Sequence, residues 1–289
     1  NKKYFDYLSA YSAVNQGHCN KQILNTFIKQ AKKLTLTSRA FYNDILGPYC
    51  EFIKNYFEHS RVLPMYTGVE GGETAIKIAR KWAYKVKGIP PNKAKVLFAN
   101  GNFWGRTLAA VSSSDVKSTK NNFGPFMPGF KLIPYNDLNS LERELQDNNT
   151  AAFMVEPIQG EAGVNVPDPD YLKKVRHLCS QYNVLMIADE IQTGLGRTGS
   201  LLASCGNCDC NSSCEQQSSY VRPDILILAK ALSGGTYPIS AVLCDSDIME
   251  VIQPGQHGST FGGNPFAASI AKKALEIIIE ENLSQNARA

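Results

Sequence analysis

The sequence predicts an α/β fold of three layers, in which a mainly parallel sheet of seven strands lies between two layers of helices. From residue 61 onward, short apolar runs alternate with segments of helical spacing. Strands that are apolar on both faces are typical of a parallel sheet that helices cover on each side. A chain of 289 residues with 43% hydrophobic residues can bury the core that such a fold needs.

Seven segments have the length and aliphatic content of buried strands. They are 61–65, 95–99, 130–135, 151–156, 184–189, 224–229 and 239–244. Helical spacing is found in segments 72–88, 137–148 and 169–183. The first of these would bury a face made of Ala75, Ile76, Ala79, Trp82, Ala83 and Val86. Ligands of such sheets gather at the carboxyl ends of the strands, so the residues that follow each strand are the first candidates for a site.

Charge and hydropathy argue against two classes of protein. The net charge of +4 is spread along the chain, whereas a nucleic-acid surface needs a concentrated basic stripe. No apolar run has the length of a membrane span, and residues 1–18 do not resemble a signal peptide. The sequence lacks a starting Met and ends within a helical pattern, so we expect a piece of a longer chain.

The eight cysteines fall into two groups. Four lie within CGNCDCNSSC (205–214), and the others are scattered in regular segments, as is usual for reduced intracellular thiols. Four thiols so close together could bind a soft metal, but tetrahedral cysteine sites usually draw their ligands from two separated knuckles. We therefore interpret this stretch as a polar surface insertion and predict no metal site.

A lysine follows the apolar run of 224–229 directly, in the stretch DILILAKALSGG. Burying an unpaired ammonium group is costly, and a buried lysine tends to lose its proton. The resulting neutral amine is a nucleophile. In the alternative interpretation the strand ends at Ala229 and Lys230 faces water.

Two further strands are followed by residues that could bind a phosphate, a flat ring or a carboxylate. The turn YTGVEGGETA (66–75) places glycines before a helix, where backbone N–H groups favour a phosphate. Phe103 and Trp104 could stack on a flat ring, and Arg106 could bind a carboxylate. Each feature also has a plain structural explanation, namely a turn, core packing and a surface charge.

Acidic groups follow the next two strands. Glu156 and Glu161 come after 151–155; either could be a solvated loop acid, and one that lies near Arg106 could pair with it. Asp189 ends the apolar run of 184–189, and a buried aspartate there needs a cationic or N–H partner. A phosphate turn, an aromatic ring, an aspartate for a ring nitrogen and a lysine for an aldehyde together match pyridoxal 5′-phosphate.

Eight motifs in register resemble the fold-type I, class-III aminotransferases, over all of the chain except about 202–220. They are YSAVNQGHC, LTLTSRAFYN, NFWGRTLAA, FGPFMPGF, VEPIQGEAGV, ADEIQTGLGRTG, LAKALSGG and HGSTFGGNP. The resemblance implies that Lys230 forms a Schiff base with the cofactor and that Asp189 keeps the cofactor's ring nitrogen protonated. The other cofactor-binding residues that it implies are Gly68, Val69, Phe103, Trp104, Gln192, Ser259 and Thr260.

The resemblance is greatest to the branch of the family that acts on ornithine. It implies transfer of the δ-amino group of L-ornithine to 2-oxoglutarate, and thus a role in arginine catabolism and proline biosynthesis. Substrate contacts would come from Tyr11, Arg106, Glu156 and Glu161. The alternatives are a family member acting on acetylornithine or 4-aminobutyrate, or a catalytically silent homologue. The chain departs from the family at Tyr66, whose phenol could crowd the phosphate.

The same resemblance implies how the chain is organised. An incomplete N-terminal segment (1–40) would precede a cofactor-binding large domain (41–262), with the insertion near 202–220. A helix (263–289) would then lead to a missing C-terminal domain. We expect a homodimer or larger homo-oligomer, because Ser259 and Thr260 would reach the phosphate of the neighbouring subunit. The expected location is intracellular, in the mitochondrial matrix or, alternatively, the cytoplasm.

Overall fold

The computed structural model describes residues 2–205 and 221–289. In these ranges one sheet contains seven strands, in the order β1-β7-β6-β5-β4-β2-β3. Their bounds are β1 Arg61–Met65, β2 Lys95–Ala99, β3 Phe130–Ile133, β4 Thr150–Val155, β5 Leu185–Asp189, β6 Ile225–Leu228 and β7 Ser240–Cys244. β7 runs antiparallel to both of its neighbours, and the other strand pairs are parallel. The predicted, mainly parallel seven-stranded sheet is confirmed.

Helices precede the sheet, connect its strands and follow it. They are α1 Ser9–Ser12, α2 Lys21–Ala31, α3 Leu46–Tyr56, α4 Gly68–Trp82, α5 Leu108–Ser112, α6 Lys117–Lys120, α7 Leu138–Leu145, α8 Tyr171–Gln181, α9 Ser246–Met249, α10 Pro265–Glu280 and α11 Leu283–Arg288. A π-helical turn, Ala83–Lys87, extends α4, and 3₁₀ turns span Ala203–Cys205 and Lys230–Ser233. α1 is a single turn whose interior residues have left-handed backbone angles.

Side chains that alternate along each strand divide the core between the two faces of the sheet. Val96 and Phe98 of β2 pack with α4 and α5 on one face. Leu97 of the same strand packs with α7 and α8 on the other. Farther along that second face, Leu226 and Leu228 of β6 pack with α3 and α10. The predicted three layers follow from this alternation.

α4 begins four residues earlier than the predicted segment 72–88. The side chain of Thr67 accepts a hydrogen bond from Glu70 N–H at 3.3 Å and so caps the helix at its start. Val86, which we predicted on the buried face, is 58% exposed. It lies in the π-helical turn, where one turn contains more residues than in an α-helix, and this rotates Val86 out of the apolar stripe.

The remaining helical predictions hold to within a few residues. The predicted 137–148 is α7 and the predicted 169–183 is α8, each shorter than expected at both ends. The segment 263–289, predicted as one helix, contains α10 and α11, with Asn282 in a left-handed conformation between them. The division of the chain into domains stays a prediction.

Two expectations concern features outside the sheet. Cysteines 208, 210 and 214 of the predicted insertion lie outside the described residues, whereas Cys205 is described and buried. In the described ranges no group of three or more His, Cys, Asp or Glu side chains is arranged to hold a metal ion. Nor does any helix of these ranges combine the length and the apolar character that crossing a membrane requires.

Candidate active site

A cavity of about 240 Å³ lies at the carboxyl ends of β4, β5 and β6, beside the N-terminus of α4. It is lined by Gly68, Val69, Phe103, Trp104, Gly105, Glu156, Asp189, Ile191, Gln192 and Lys230. Eight of these ten residues are ones that the sequence singled out as site candidates. The strand ends thus meet at one edge of the sheet, as expected for a parallel α/β fold.

Lys230 lies in the wall of this cavity, half-buried, rather than facing open water. It starts the 3₁₀ turn after β6 with φ of 43°, a left-handed conformation that costs free energy for a residue with a Cβ. Burial lowers the pKa of its ammonium group, and the charges of Asp189, Glu161 and Glu156 oppose that shift. Within residues 2–205 and 221–289 no carboxylate forms an ion pair with it.

Asp189, the last residue of β5, is 4% exposed. Burial raises the pKa of its carboxyl group to about 7, although the Ile191 N–H bond and the charge of Lys230 act in the opposite direction. In the described part of the chain its one hydrogen bond comes from Ile191 N–H, at 3.1 Å. A cationic partner in the cavity would therefore stabilise the ionised form.

Glu156 follows β4 and is 8% exposed. Burial, followed by the nearby charge of Asp189, raises the pKa of its carboxyl group to about 8. Its Oε1 accepts a hydrogen bond from Phe103 N–H at 2.9 Å. Glu156 therefore fixes the backbone that carries Phe103, whose ring is half-exposed at the cavity.

Among the described residues, Arg106 forms an ion pair with neither Glu156 nor Glu161, although the sequence left that pairing open. The Arg106 guanidinium lies over the Phe103 ring instead, at 5.3 Å from its centroid. Glu161 is exposed and accepts a long hydrogen bond, 3.4 Å, from the amide of Gln192. Arg106 and Glu161 both line a neighbouring cavity of about 320 Å³.

Trp104 reaches the site from the core. Its ring lies parallel to that of Phe98, with 6.0 Å between the centroids, and its Nε1–H donates to Ser113 Oγ at 2.7 Å. A Cβ on Gly72 would come within 2.7 Å of the indole, so glycine at that position is needed for packing. The sequence had suggested Gly72 only as part of a phosphate turn.

The predicted anion site falls at the start of α4. Gly68 and Val69 are its first two residues, and backbone N–H groups in a first turn have no acceptor within the helix. Both residues line the cavity of Lys230. The Tyr66 phenol lies outside that cavity, because its ring packs against Tyr237 and Phe261, with centroids 6.0 and 5.6 Å away.

Three predicted residues do not line the cavity of Lys230. Tyr11 is 59% exposed in α1. Ser259 and Thr260 lie in the loop before α10, where Ser259 Oγ accepts from Gly262 N–H at 3.1 Å and Thr260 is exposed. Roles for these three require another segment or another subunit.

Sequence reasoning missed two residues that line the cavity and one buried acid next to Asp189. Ile191 and Gly105 line the cavity, and a Cβ on Gly105 would lie 2.3 Å from a Val69 methyl group. Glu190 is fully buried and accepts hydrogen bonds from Ala203 N–H at 3.1 Å and Ser204 N–H at 2.7 Å. An acid next to Asp189 in an apolar run was the available signal, because a buried carboxylate must find donors.

The donor set fits pyridoxal 5′-phosphate. The helix N-terminus suits the phosphate, the buried acid of Asp189 lacks a cationic contact, and the amine of Lys230 lines the same cavity without an ion pair. Phe103 and Ile191 provide flat and branched apolar surfaces for a ring. A planar cofactor with an anionic end, a protonatable nitrogen and an aldehyde would satisfy each of these groups.

Comparison with known proteins agrees with the resemblance that the sequence motifs indicated. The family model "Aminotransferase class-III" matches residues 1–289. Over 286 residues the chain is 62% identical to the mitochondrial ornithine aminotransferase of Rattus norvegicus, a match that covers 99% of this chain and 62% of that protein.

Solved structures of two enzymes superpose closely. The ornithine aminotransferase of Toxoplasma gondii, crystallised with oxidised glutathione and with pyridoxal phosphate at partial occupancy in its active site, gives a TM-score of 0.93 at 54% identity, over 98% of this chain and 64% of that one. The acetylornithine aminotransferase of Elizabethkingia anophelis gives 0.83 at 49%, over 98% and 65%. The chain therefore spans 62 to 65% of the length of these three relatives.

Proposed function

The chain belongs to the class-III aminotransferase family, and we propose that its protein is an ornithine δ-aminotransferase that uses pyridoxal 5′-phosphate. The proposed reaction converts L-ornithine and 2-oxoglutarate to glutamate 5-semialdehyde and glutamate. The observation that carries the proposal is the meeting of Lys230, Asp189 and Phe103 in one cavity, in a chain 62% identical to an ornithine aminotransferase.

Lys230 would be the group that attaches the cofactor and then moves the reacting proton. When bound, the cofactor supplies an electron sink for the bonding electrons of the substrate carbon. Lys230 Nζ must be neutral to accept a proton from that carbon. Burial lowers the pKa of this amine and so raises its neutral fraction at any given pH, which supports the role.

Asp189 would hold the cofactor's ring nitrogen in its protonated form. Its carboxyl group is buried at the end of a strand, which fixes its position, and it lacks a cationic contact in the described chain. A protonated ring nitrogen beside it would lower its pKa again and keep it ionised. Gln192, which lines the same cavity, would donate to the ring hydroxyl.

Phe103 would stack on the ring, with its backbone held by Glu156. Trp104 would support that loop from the core, through its bond to Ser113. Gly68 and Val69 would donate N–H groups to the phosphate. Together these contacts would exclude water from one face of the ring.

Substrate recognition would fall to residues of the neighbouring cavity and the N-terminal segment. Arg106 has no ion pair in the described chain, so it is available to bind a substrate carboxylate. Glu161 would pair with a second arginine, and Glu156 would border the substrate. Tyr11 would favour ornithine over simpler amines.

The protein would act as a homodimer. Ser259 and Thr260 lie on an accessible loop, outside the cavity of their own chain, and so could reach the phosphate of a neighbouring subunit. The proposed location is the mitochondrial matrix, which the name of the rat relative supports. The proposed partners are the small-molecule substrates, with neither nucleic acid nor membrane involved.

A second candidate substrate is acetylornithine, since an enzyme named for it is 49% identical to this chain. The test is a visible absorption spectrum of the whole protein with pyridoxal phosphate, before and after each amine. We expect L-ornithine to remove the yellow band and 2-oxoglutarate to restore it. Bleaching by acetylornithine or 4-aminobutyrate alone would instead identify another family activity.

A further inference from the structure

The most informative feature outside the cavity of Lys230 is the anchoring of the loop before α10. His257 lies half-buried in this 253–262 loop, against α4. Its Nε2 is 2.9 Å from Thr74 Oγ1 and its Nδ1 is 2.8 Å from Lys77 Nζ. The same helix begins with the two residues that line the cavity of Lys230.

The hydrogen bonds around His257 determine where its proton lies. An ammonium group donates and cannot accept, so Nδ1 must accept from Lys77. The Thr74 hydroxyl donates its proton to Glu70 O at 2.7 Å. Its oxygen therefore acts as the acceptor for His257 Nε2–H. Only the neutral imidazole with its proton on Nε2 satisfies all three contacts.

Protonation of His257 would break this arrangement. A second proton on Nδ1 would point at the Lys77 ammonium, so that two donors would face each other. His257 lines a second cavity, separate from that of Lys230 and lying between the loop and α4. The charged and titratable side chains that line this second cavity with it are Lys77, Glu70, Glu73 and Tyr66. The pKa of His257 is lowered first by burial and then by the charge of Lys77, and Glu70 opposes the shift.

The 253–262 loop is anchored on both sides of Ser259 and Thr260. Before them, Gln256 accepts a hydrogen bond from Lys81 of α4, and His257 binds Thr74 and Lys77. After them, Gly262 accepts one from Arg39. Ser259 and Thr260 lie between these two anchors.

We propose that neutral His257 is a positioning residue that docks the 253–262 loop on α4 and thereby places Ser259 and Thr260, and that acidification undocks the loop. The importance of placing Ser259 and Thr260 rests on the proposed function, in which these residues contact the phosphate in a neighbouring subunit. The docking itself does not depend on any ligand. Undocking should begin as the pH falls below the ordinary histidine value of 6.5.

The test is hydrogen exchange of peptides from the 253–262 loop in the whole, cofactor-free protein, between about pH 5 and pH 8, corrected for intrinsic exchange. The wild type should lose protection as the pH falls. His257→Gln should stay protected throughout, because a glutamine amide can accept from Lys77 and donate to Thr74 without titrating. His257→Ala should be less protected than His257→Gln at every pH, and His177→Gln, at an exposed histidine of α8, should behave as the wild type.

A second measurement is the dissociation constant of pyridoxal phosphate for the same variants at about pH 8. His257→Ala should weaken binding about tenfold and His257→Gln less than threefold. If the wild-type loop were equally protected from hydrogen exchange at about pH 5 and about pH 8, the docking proposal would be overturned. An exposed loop in His257→Ala with unchanged cofactor affinity would overturn the placement of Ser259 and Thr260. Failure of the wild type to bind the cofactor would count against the proposed function while leaving the exchange result intact.

Discussion

Glu156 accepts the Phe103 N–H at 2.9 Å, and this bond ties the end of β4 to the loop that follows β2. The bond couples a buried acid to the position of an aromatic ring in the cavity of Lys230. The Phe103 N–H needs a hydrogen-bond acceptor at the position of the Glu156 carboxyl group. A negative charge on that carboxyl group is disfavoured by burial and by the charge of Asp189, which raise its pKa.

Two substitutions of Glu156 should therefore separate the effect of its acceptor oxygen from the effect of its charge. Glu156→Gln keeps a carbonyl oxygen for Phe103 N–H, so we expect cofactor affinity within about threefold of the wild type. Glu156→Ala leaves that N–H unpaired and should weaken binding by about tenfold or more. Fluorescence titration with pyridoxal phosphate measures both. Equal losses in the two variants would contradict the positioning role.

The raised pKa of Glu156 also predicts a pH dependence of stability. Its pKa is about 8 in the folded protein against an ordinary value of 4.5, so the folded state binds the proton more tightly. The favourable contribution is present below pH 4.5 and is lost as the pH rises through 8. Urea unfolding of the cofactor-free protein should show a shallower decline of stability over this window in Glu156→Gln. Parallel curves for the two proteins would rule out the shift.

The left-handed backbone of Lys230 predicts a difference between two inactive variants. At φ of 43° a Cβ is disfavoured, whereas glycine is not. Lys230→Gly should therefore be more stable to urea than Lys230→Ala, by about 1 kcal/mol. A lower stability for the glycine variant would show that the strain is absent.

The contact of Gly72 with Trp104 predicts a packing defect near the site. Gly72→Ala would place a methyl group 2.7 Å from the indole and should cost about 1 to 3 kcal/mol of unfolding free energy. Gly47→Ala is the matched control, since nothing lies within 4 Å of its added Cβ in α3. That control should be neutral or stabilising by up to about 1 kcal/mol. Similar losses at both positions would refute the packing argument.

Arg106 should contribute to substrate binding without affecting the cofactor. Arg106→Ala removes a guanidinium group that could bind a carboxylate bidentately, and we expect KM for the affected substrate to rise about tenfold or more. Arg106→Lys should recover little, because an ammonium group lacks the two-pronged geometry. Steady-state kinetics with ornithine and with 2-oxoglutarate would identify the substrate concerned. A loss confined to cofactor affinity would be inconsistent with this role.

The sheet and most of the cavity could be predicted from the sequence for one physical reason. Continuous aliphatic runs mark parallel strands, and their carboxyl ends converge, so Asp189 and Lys230 could be placed together without knowing any contact. Contacts set by tertiary packing could not be predicted in this way. The π-helical turn rotates Val86 toward the surface. The Trp104 indole is buried because it bonds to Ser113 and packs closely on Gly72.

Residues on long connections were the least predictable. The sequence pattern does not determine how an N-terminal turn or a loop is placed, so the positions of Tyr11, Ser259 and Thr260 outside the cavity of Lys230 could not be derived from it. The roles predicted for these three residues stay predictions. The anchoring of His257 to α4 is likewise invisible in the sequence. Its partners lie 183 and 180 residues away along the chain.

The most direct test of the central claim is to locate the cofactor on the chain. The whole protein would be incubated with pyridoxal phosphate, reduced with borohydride, digested and analysed by mass spectrometry. We expect a phosphopyridoxyl group on Lys230 and no label on the same peptide in Lys230→Ala. Labelling of a different lysine, or no covalent label at all, would contradict the assignment of Lys230.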